Sequence, residues 1–150
     1  MEIFEDYSRH IEKLGALKLR YPDKEISIAV KPSRFGTEIS KIHFIYYALQ
    51  LCNTALTHNV FIWFDAEKIN DRPLVLNSLL FLAQRRRKRN FGLALQSMHR
   101  SSFAILDRLI GCGIPARIVK GAYKDGDIKD ARAIRDNFLL LYRQAKKGYT

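Results

Sequence analysis

Four apolar segments of this sequence lead directly into side chains that are suited to binding a charged or polar ligand. The segments and the residues that complete them are 26–30 with Lys31, 60–64 with Asp65, 91–95 with Gln96, and 114–119, which carries Arg117, with Lys120, Gly121, Ala122 and Tyr123. Lysine, aspartate, glutamine and arginine together supply both charges and hydrogen-bond donors and acceptors. Proteins with parallel sheets place such groups at the carboxyl ends of their strands. The pattern therefore predicts one polar site.

The spacing within each strand indicates which side chains share a face, because side chains two positions apart lie on the same side of a strand. The pairs are Ala29 with Lys31, Trp63 with Asp65, Ala94 with Gln96, and Arg117 with Val119, Gly121 and Tyr123. Neighbouring strands lie about 4.8 Å apart, so we expect Lys31 and Asp65 to form an ion pair. A plainer interpretation stays open, in which polar residues follow strands because loops face water.

The regions between these segments have the periodicity of helices. Apolar residues recur every three or four positions in residues 4–19, 42–52, 72–87, 103–110 and 129–147. Ser101 and Ser102 are predicted to cap the fourth of these helices. One helix followed by four strand–helix units predicts an α/β fold with about four parallel strands and about five helices.

Composition limits the class of protein. The chain has 150 residues, of which 47% are hydrophobic, so a single domain over residues 1–150 is predicted. Residues 1–13 are charged, and no apolar run reaches the roughly 18 residues of a membrane span, so we expect no membrane span and a cytoplasmic location. Cys52 and Cys112 lack the spacing of a ligand set, so neither a disulfide framework nor a metal site is predicted.

The formal net charge is +11, and much of it lies in residues 85–89. One interpretation is a surface patch for nucleic acid or another anion. The other is a solvated helix carboxyl end, where cations suit the helix dipole. The run lacks interleaved aromatic residues and precedes a strand, at the opposite end of the sheet from the polar site. We therefore favour the second interpretation and do not expect nucleic-acid binding.

Common catalytic motifs are missing from the sequence. It contains no GxGxxG, Walker loop, GxSxG or HExxH. Among the histidines, His99 is nearest to the predicted site, and a structural role is expected for it.

Four segments of the chain carry a resemblance to a known family. They are ISIAVKPSRFG, VFIWFDAEK, LALQSMHR and ARIVKGAYKDGDIKDA, in this order, and together they span nearly all of the chain from residue 26 onward. These motifs resemble those of the proline dehydrogenases, with RIVKGAY the most specific among them. The resemblance implies a (βα)8 barrel that uses FAD to oxidise L-proline to 1-pyrroline-5-carboxylate in proline catabolism.

The resemblance also implies roles for individual residues. Lys31 matches the lysine that holds the substrate carboxylate, a task suited to a point cation. Asp65 matches the aspartate that orders the charged groups around proline, and Tyr123 matches the tyrosine that packs on the substrate ring. The cofactor residues are Gln96 and Arg117 at the isoalloxazine and Val119, Lys120, Gly121 and Ala122 along FAD. Hydride passes directly from proline to the flavin, so no strong base is implied.

The resemblance covers only about strands two to five of the family's barrel, which typically needs about 250 residues. The later strands and a final helix with a paired arginine and a glutamate have no counterpart here. Exposed strand edges invite pairing, so we expect a homo-oligomer or a complementing half-barrel, or else poor solubility. Two alternatives are a non-catalytic α/β module that binds an anionic partner through its basic surface and, more weakly, a flavodoxin-like sheet that binds FMN.

Overall fold

The computed structural model describes residues 2–37, 39–66, 70–86, 89–122 and 124–149, and in this part of the chain four parallel strands form one sheet. The strands are β1 (Ser27–Val30), β2 (Phe61–Phe64), β3 (Phe91–Gln96) and β4 (Ala116–Val119). Each strand pairs with the next one along the chain. Because every pair is parallel, the carboxyl ends of the strands lie at the same edge of the sheet.

The helices alternate with these strands. They are α1 (Glu2–Arg20), α2 (Lys41–Thr57), α3 (Arg72–Gln84), α4 (Ser102–Gly111) and α5 (Ala131–Gly148), with a short 3₁₀ helix at Pro32–Phe35. In the described residues this agrees with the predicted α/β class, its four parallel strands and its five α-helices. The 3₁₀ helix follows β1 almost directly, and proline at its first position presets the backbone angle. None of the helices described combines the length and the hydropathy needed to cross a membrane.

Aromatic side chains link α2 to the middle of the sheet. The ring centroids of Phe44 and Phe64 lie 6.1 Å apart, those of Phe64 and Phe91 lie 6.3 Å apart, and both pairs meet edge to face. Such aromatic pairs stabilise a core beyond the apolar area that they bury. β3 is buried along its whole length, whereas every residue of β4 is only partly buried. β3 is therefore the most buried strand of the sheet, and Gln96 of the polar site is its last residue.

Side-chain caps begin two of the helices, α2 and α5. The Ser40 hydroxyl accepts the His43 backbone N–H at 3.1 Å, and the Asp130 carboxylate accepts that of Ala133 at 2.8 Å. The predicted cap of α4 is wrong, because Ser101 makes no side-chain cap bond. The Ser102 hydroxyl instead donates to the backbone oxygen of Gln96 at 2.6 Å. This bond joins α4 to the end of β3.

The basic run after α3 makes local contacts in its described part. The Arg85 guanidinium lies 3.6 Å from the centroid of the Phe81 ring, and Arg86 donates to Asn53 Oδ1 at 2.7 Å. Arg87 and Lys88 lie outside the described residues. The run connects α3 to the start of β3, so it lies at the opposite end of the strands from the polar site.

Candidate active site

A cleft of about 420 Å³ opens where the strands end. Eight of the nine predicted site residues line it: Lys31, Asp65, Gln96, Arg117, Val119, Lys120, Gly121 and Ala122. Tyr123, the ninth, lies outside the described residues. Ala66 and Ala94 complete the lining. The structure thus brings together side chains that are distant in sequence, although the role of each residue stays a prediction.

Arg117 and Asp65 form the ion pair of this cleft, with Arg117 Nη2 donating to Asp65 Oδ1 at 2.5 Å. The predicted pair of Lys31 with Asp65 is therefore wrong. The Arg117 guanidinium also lies 5.6 Å from the centroid of the Trp63 ring. Both partners are about one-third exposed, so water weakens the attraction between them.

The small residues of β3 explain why arginine, from β4, reaches aspartate, at the end of β2. Gly92 pairs with Trp63, and a Cβ atom at Gly92 would lie 2.4 Å from Trp63 Cζ3. Ala94 pairs with Arg117 on the other side of the strand. Glycine and alanine leave room above β3 for the tryptophan ring and for the long arginine side chain. Sequence parity placed these groups on one face, but the volume above β3 decided which of them meet.

Lys31 lies at the opposite side of the cleft from Arg117. It follows β1 directly, is exposed, and its backbone N–H donates to the Tyr7 hydroxyl at 3.4 Å. Within the described ranges no carboxylate forms an ion pair with its ammonium group. The lysine is thus a cation that faces the cleft without a carboxylate partner there.

Gln96 is the most deeply buried polar side chain of the cleft, with 2% of its surface exposed. Arg72 Nη2 donates a hydrogen bond to Gln96 Oε1. Burial lowers the pKa of Arg72 from its ordinary value, while Asp125 and Asp127 act in the opposite direction. Sequence reasoning missed Arg72, because its only local signal is its place at the start of a helix, before Pro73.

Backbone hydrogen bonds tie the segment after β4 to the segment after β3. The backbone N–H groups of Ser97 and Met98 donate to the oxygens of Val119 and Lys120, at 2.8 and 3.1 Å. Gly121 has φ +115°, and a Cβ atom there would lie 2.3 Å from Met98 Sδ. Only glycine meets both constraints without strain. The backbone of this segment is consequently presented to the cleft in one conformation.

The sequence of this chain matches the model of a known protein family. The family model described as Proline dehydrogenase matches residues 1–144. The chain belongs to the proline dehydrogenase family. No curated protein matches the sequence significantly.

Solved structures of proline utilization A (PutA) share the fold. A PutA variant from Bradyrhizobium japonicum is 22% identical with TM-score 0.81, and the match covers 95% of this chain and 18% of that one. A bifunctional PutA protein is 21% identical with TM-score 0.78, covering 94% and 18%. PutA from Bdellovibrio bacteriovorus inactivated by N-propargylglycine is 18% identical with TM-score 0.73, covering 97% and 20%. The predicted partial barrel is thereby confirmed, and the chain spans about a fifth of these PutA chains.

Outside the cleft of this proline dehydrogenase domain, His99 is fully buried between two aspartates. Its Nδ1 lies 3.0 Å from Asp127 Oδ1, and its Nε2 lies 3.8 Å from Asp125 Oδ1. Burial lowers the pKa of His99, and Arg72 lowers it further, while the two aspartates act in the opposite direction. The Arg100 backbone N–H donates to Asp127 Oδ2 at 3.1 Å. His99 does not line the cleft, and its structural role stays a prediction.

Proposed function

We propose that this chain forms part of a proline dehydrogenase active site that binds FAD and oxidises L-proline to 1-pyrroline-5-carboxylate. The observation that carries the proposal is the single cleft lined by Lys31, Asp65, Gln96, Arg117 and the segment that ends at Ala122. Family membership supports it, because the chain matches the proline dehydrogenase model over residues 1–144.

The residues of the cleft suit an isoalloxazine ring. Gln96 and Arg117 supply hydrogen-bond donors, and a flavin ring offers nitrogen and oxygen acceptors. Gly121 has no side chain, so the backbone can lie against a flat ligand. Bound FAD supplies the hydride acceptor. Arg117, held by Asp65 and the face of Trp63, directs its cationic donors to one place in the cleft.

The charges suit an amino acid with a carboxylate. Lys31 offers an ammonium group without a carboxylate partner among the described residues, and we assign it to the carboxylate of proline. Asp65 keeps Arg117 in position and balances the positive charge of the cleft. We assign packing on the substrate ring to Tyr123 on the strength of the KGAY motif alone, because this residue lies outside the described residues.

The site needs a further polypeptide segment if it is to close. In the described part of the chain, β1 and β4 each pair along only one side. Unpaired edges of parallel strands favour association. We therefore propose that a second copy of this chain, or a complementing half-barrel, covers these edges.

A visible-absorbance titration of the purified chain with FAD tests the proposal, followed by anaerobic addition of proline. We expect a perturbed flavin spectrum on binding and bleaching of the oxidised flavin with proline. An Arg117→Met variant should need about ten-fold more FAD to reach the same perturbation. An Arg9→Met variant is the matched control, because Arg9 also pairs with an aspartate, Asp6, but on an exposed face of α1.

The outcomes separate binding from turnover. A perturbed spectrum without bleaching would restrict the chain to cofactor binding, whereas an unperturbed spectrum would contradict the proposal. The alternative of a non-catalytic module that binds anions through its basic surface predicts a third pattern. In that case FAD binding would weaken equally in Arg117→Met and Arg9→Met, because only net charge would matter.

A further inference from the structure

Gln96 lies at the boundary of two spaces. On one side is the cleft, and on the other is a small cavity of about 20 Å³ that Arg72 also lines. Arg72 Nη2 donates to Gln96 Oε1 from this second side. The Gln96 backbone oxygen is engaged separately by the Ser102 hydroxyl. The side-chain amide is therefore held by one partner, which approaches from behind the cleft.

The chemistry of the Arg72 guanidinium fixes the orientation of the Gln96 carboxamide. A guanidinium group carries only donors, so the atom of Gln96 that faces Arg72 has to be the oxygen. The amide nitrogen then points away from Arg72. Among the described residues, no protein acceptor receives a hydrogen bond from Gln96 Nε2. The NH₂ group is thus available to an acceptor in the cleft.

Arg72 is well placed to hold this orientation. It is the first residue of α3, and the proline that follows it stiffens the first turn of that helix. Its Nη1 atom is buried and has no hydrogen-bond partner among the described residues, so Gln96 Oε1 is the acceptor that holds the guanidinium there. Asp125 and Asp127 favour its charged form electrostatically. A donor-only cation consequently stays behind Gln96.

We propose that Arg72 is a positioning residue that fixes the Gln96 carboxamide with its NH₂ group toward the cleft. The cleft then presents a fixed donor to a ligand with a nitrogen or oxygen acceptor in a planar ring. For the identity of that ligand the inference rests on the proposed function, since FAD has such a ring. For the orientation of Gln96 it rests on the geometry of this chain alone.

Side-chain amide NMR of the ¹⁵N-labelled chain without flavin tests the orientation. A Gln96→Met spectrum identifies the Gln96 signals. We expect Arg72→Met to shift the Gln96 amide nitrogen upfield, because the polarising bond at Oε1 is lost. Arg72→Lys, which keeps a donor-only cation, should restore part of that shift.

Arg108→Met is the matched control, because Arg108 Nη2 also donates to a side-chain amide oxygen, that of Asn77, at 2.8 Å on the surface. It should leave the Gln96 signals unchanged. If Arg72→Met does not fold, the Arg72 guanidinium signals of the wild type and of Gln96→Met decide instead. Equal Arg72 signals in those two proteins, or unchanged Gln96 signals in Arg72→Met, would overturn the inference.

Flavin binding then tests whether the orientation of the Gln96 amide contributes to binding FAD. Losing one fixed donor should weaken FAD binding about ten-fold in Arg72→Met, and Arg72→Lys should recover part of it. The reduction potential of the bound flavin should become more negative in Arg72→Met. Wild-type affinity and potential in that variant would overturn the positioning role. A wild-type chain that binds no FAD would count against the proposed function, while the NMR result would still decide the orientation of Gln96.

Discussion

Among the described residues, backbone hydrogen bonds join the segments that follow β3 and β4, whereas the residue that follows β1 is exposed. Residues 97–100 bond to the segment 119–128 through backbone N–H groups, including that of Ile128, which donates to the Met98 oxygen at 3.0 Å. At the other end Lys31 is exposed, and its backbone N–H makes one long bond to Tyr7. We therefore expect the proposed cofactor side to be the rigid side before any ligand binds and the proposed substrate side to be the adjustable one.

The burial of the strands gives the physical reason. β3 is buried throughout, and its central position lets the loops on both sides pack against it. β1 has a neighbour on one side only within the described residues. Groups that must meet a large flat ring benefit from a fixed frame, since preorganised contacts lose less entropy on binding. A small substrate that enters and leaves at each turnover needs less rigidity.

The largest expected effect is on the rigid side, from Gly121→Val. The positive φ and the contact with Met98 both oppose a branched side chain, so we expect a loss of about 3 kcal/mol in the free energy of unfolding, measured with urea. Gly111→Ala is the control. No atom lies within 4 Å of the added Cβ there, so it should stabilise α4 by up to about 1 kcal/mol. Equal effects of the two variants would show that neither the positive φ of Gly121 nor its contact with Met98 constrains this segment.

The next largest effect is a loss of stability as the pH falls. Because burial lowers the pKa of His99, the folded protein binds a proton there less readily than the unfolded chain, whose histidines titrate near about 6.5. This contribution to stability is fully present above that pH and is lost as the pH falls below it. We expect urea midpoints of the wild type to decline between about pH 7 and 5, and those of His99→Leu to decline less. Parallel declines would show that another group is responsible.

Arg117→Met should have a smaller effect on folding than on binding. The pair with Asp65 is partly exposed, so the free energy of unfolding should fall by about 1 kcal/mol or less. Affinity for FAD should fall about ten-fold, as expected for one lost charge-assisted hydrogen bond. Urea unfolding and the absorbance titration measure the two quantities. A larger loss in stability than in binding would make the pair structural.

The smallest effect on stability is expected from Lys31→Ala, at the adjustable end. An exposed side chain that pairs with no carboxylate among the described residues should change the free energy of unfolding by less than about 0.5 kcal/mol. The KM for proline, however, should rise, because the substrate carboxylate would lose its cation. Steady-state kinetics with varied proline check this. An unchanged KM would remove Lys31 from the site.

Local patterns in the sequence were enough for the architecture. The strands, the helices and their alternation depend on the periods of two and 3.6 residues, which any short window contains. The same parity predicted one shared face for a set of side chains at the strand ends, and six of these candidates line one cleft: Lys31, Asp65, Gln96, Arg117, Val119 and Gly121. Lys120 and Ala122, which line it too, were assigned to the site by the family resemblance. The motif around RIVKGAY indicated the family, which the match over residues 1–144 confirmed.

Tertiary structure alone decided which of these groups are partners. Asp65 meets Arg117 instead of Lys31 because Gly92 and Ala94 leave space above β3. That space is bordered by residues of β2, β3 and β4. Arg72 reaches Gln96 only because the start of α3 packs behind the end of β3. Periodicity tells which way a side chain points along its own element. Contacts between elements depend on the volume and the length of side chains from segments that are distant in sequence. No local pattern of residues encodes such contacts.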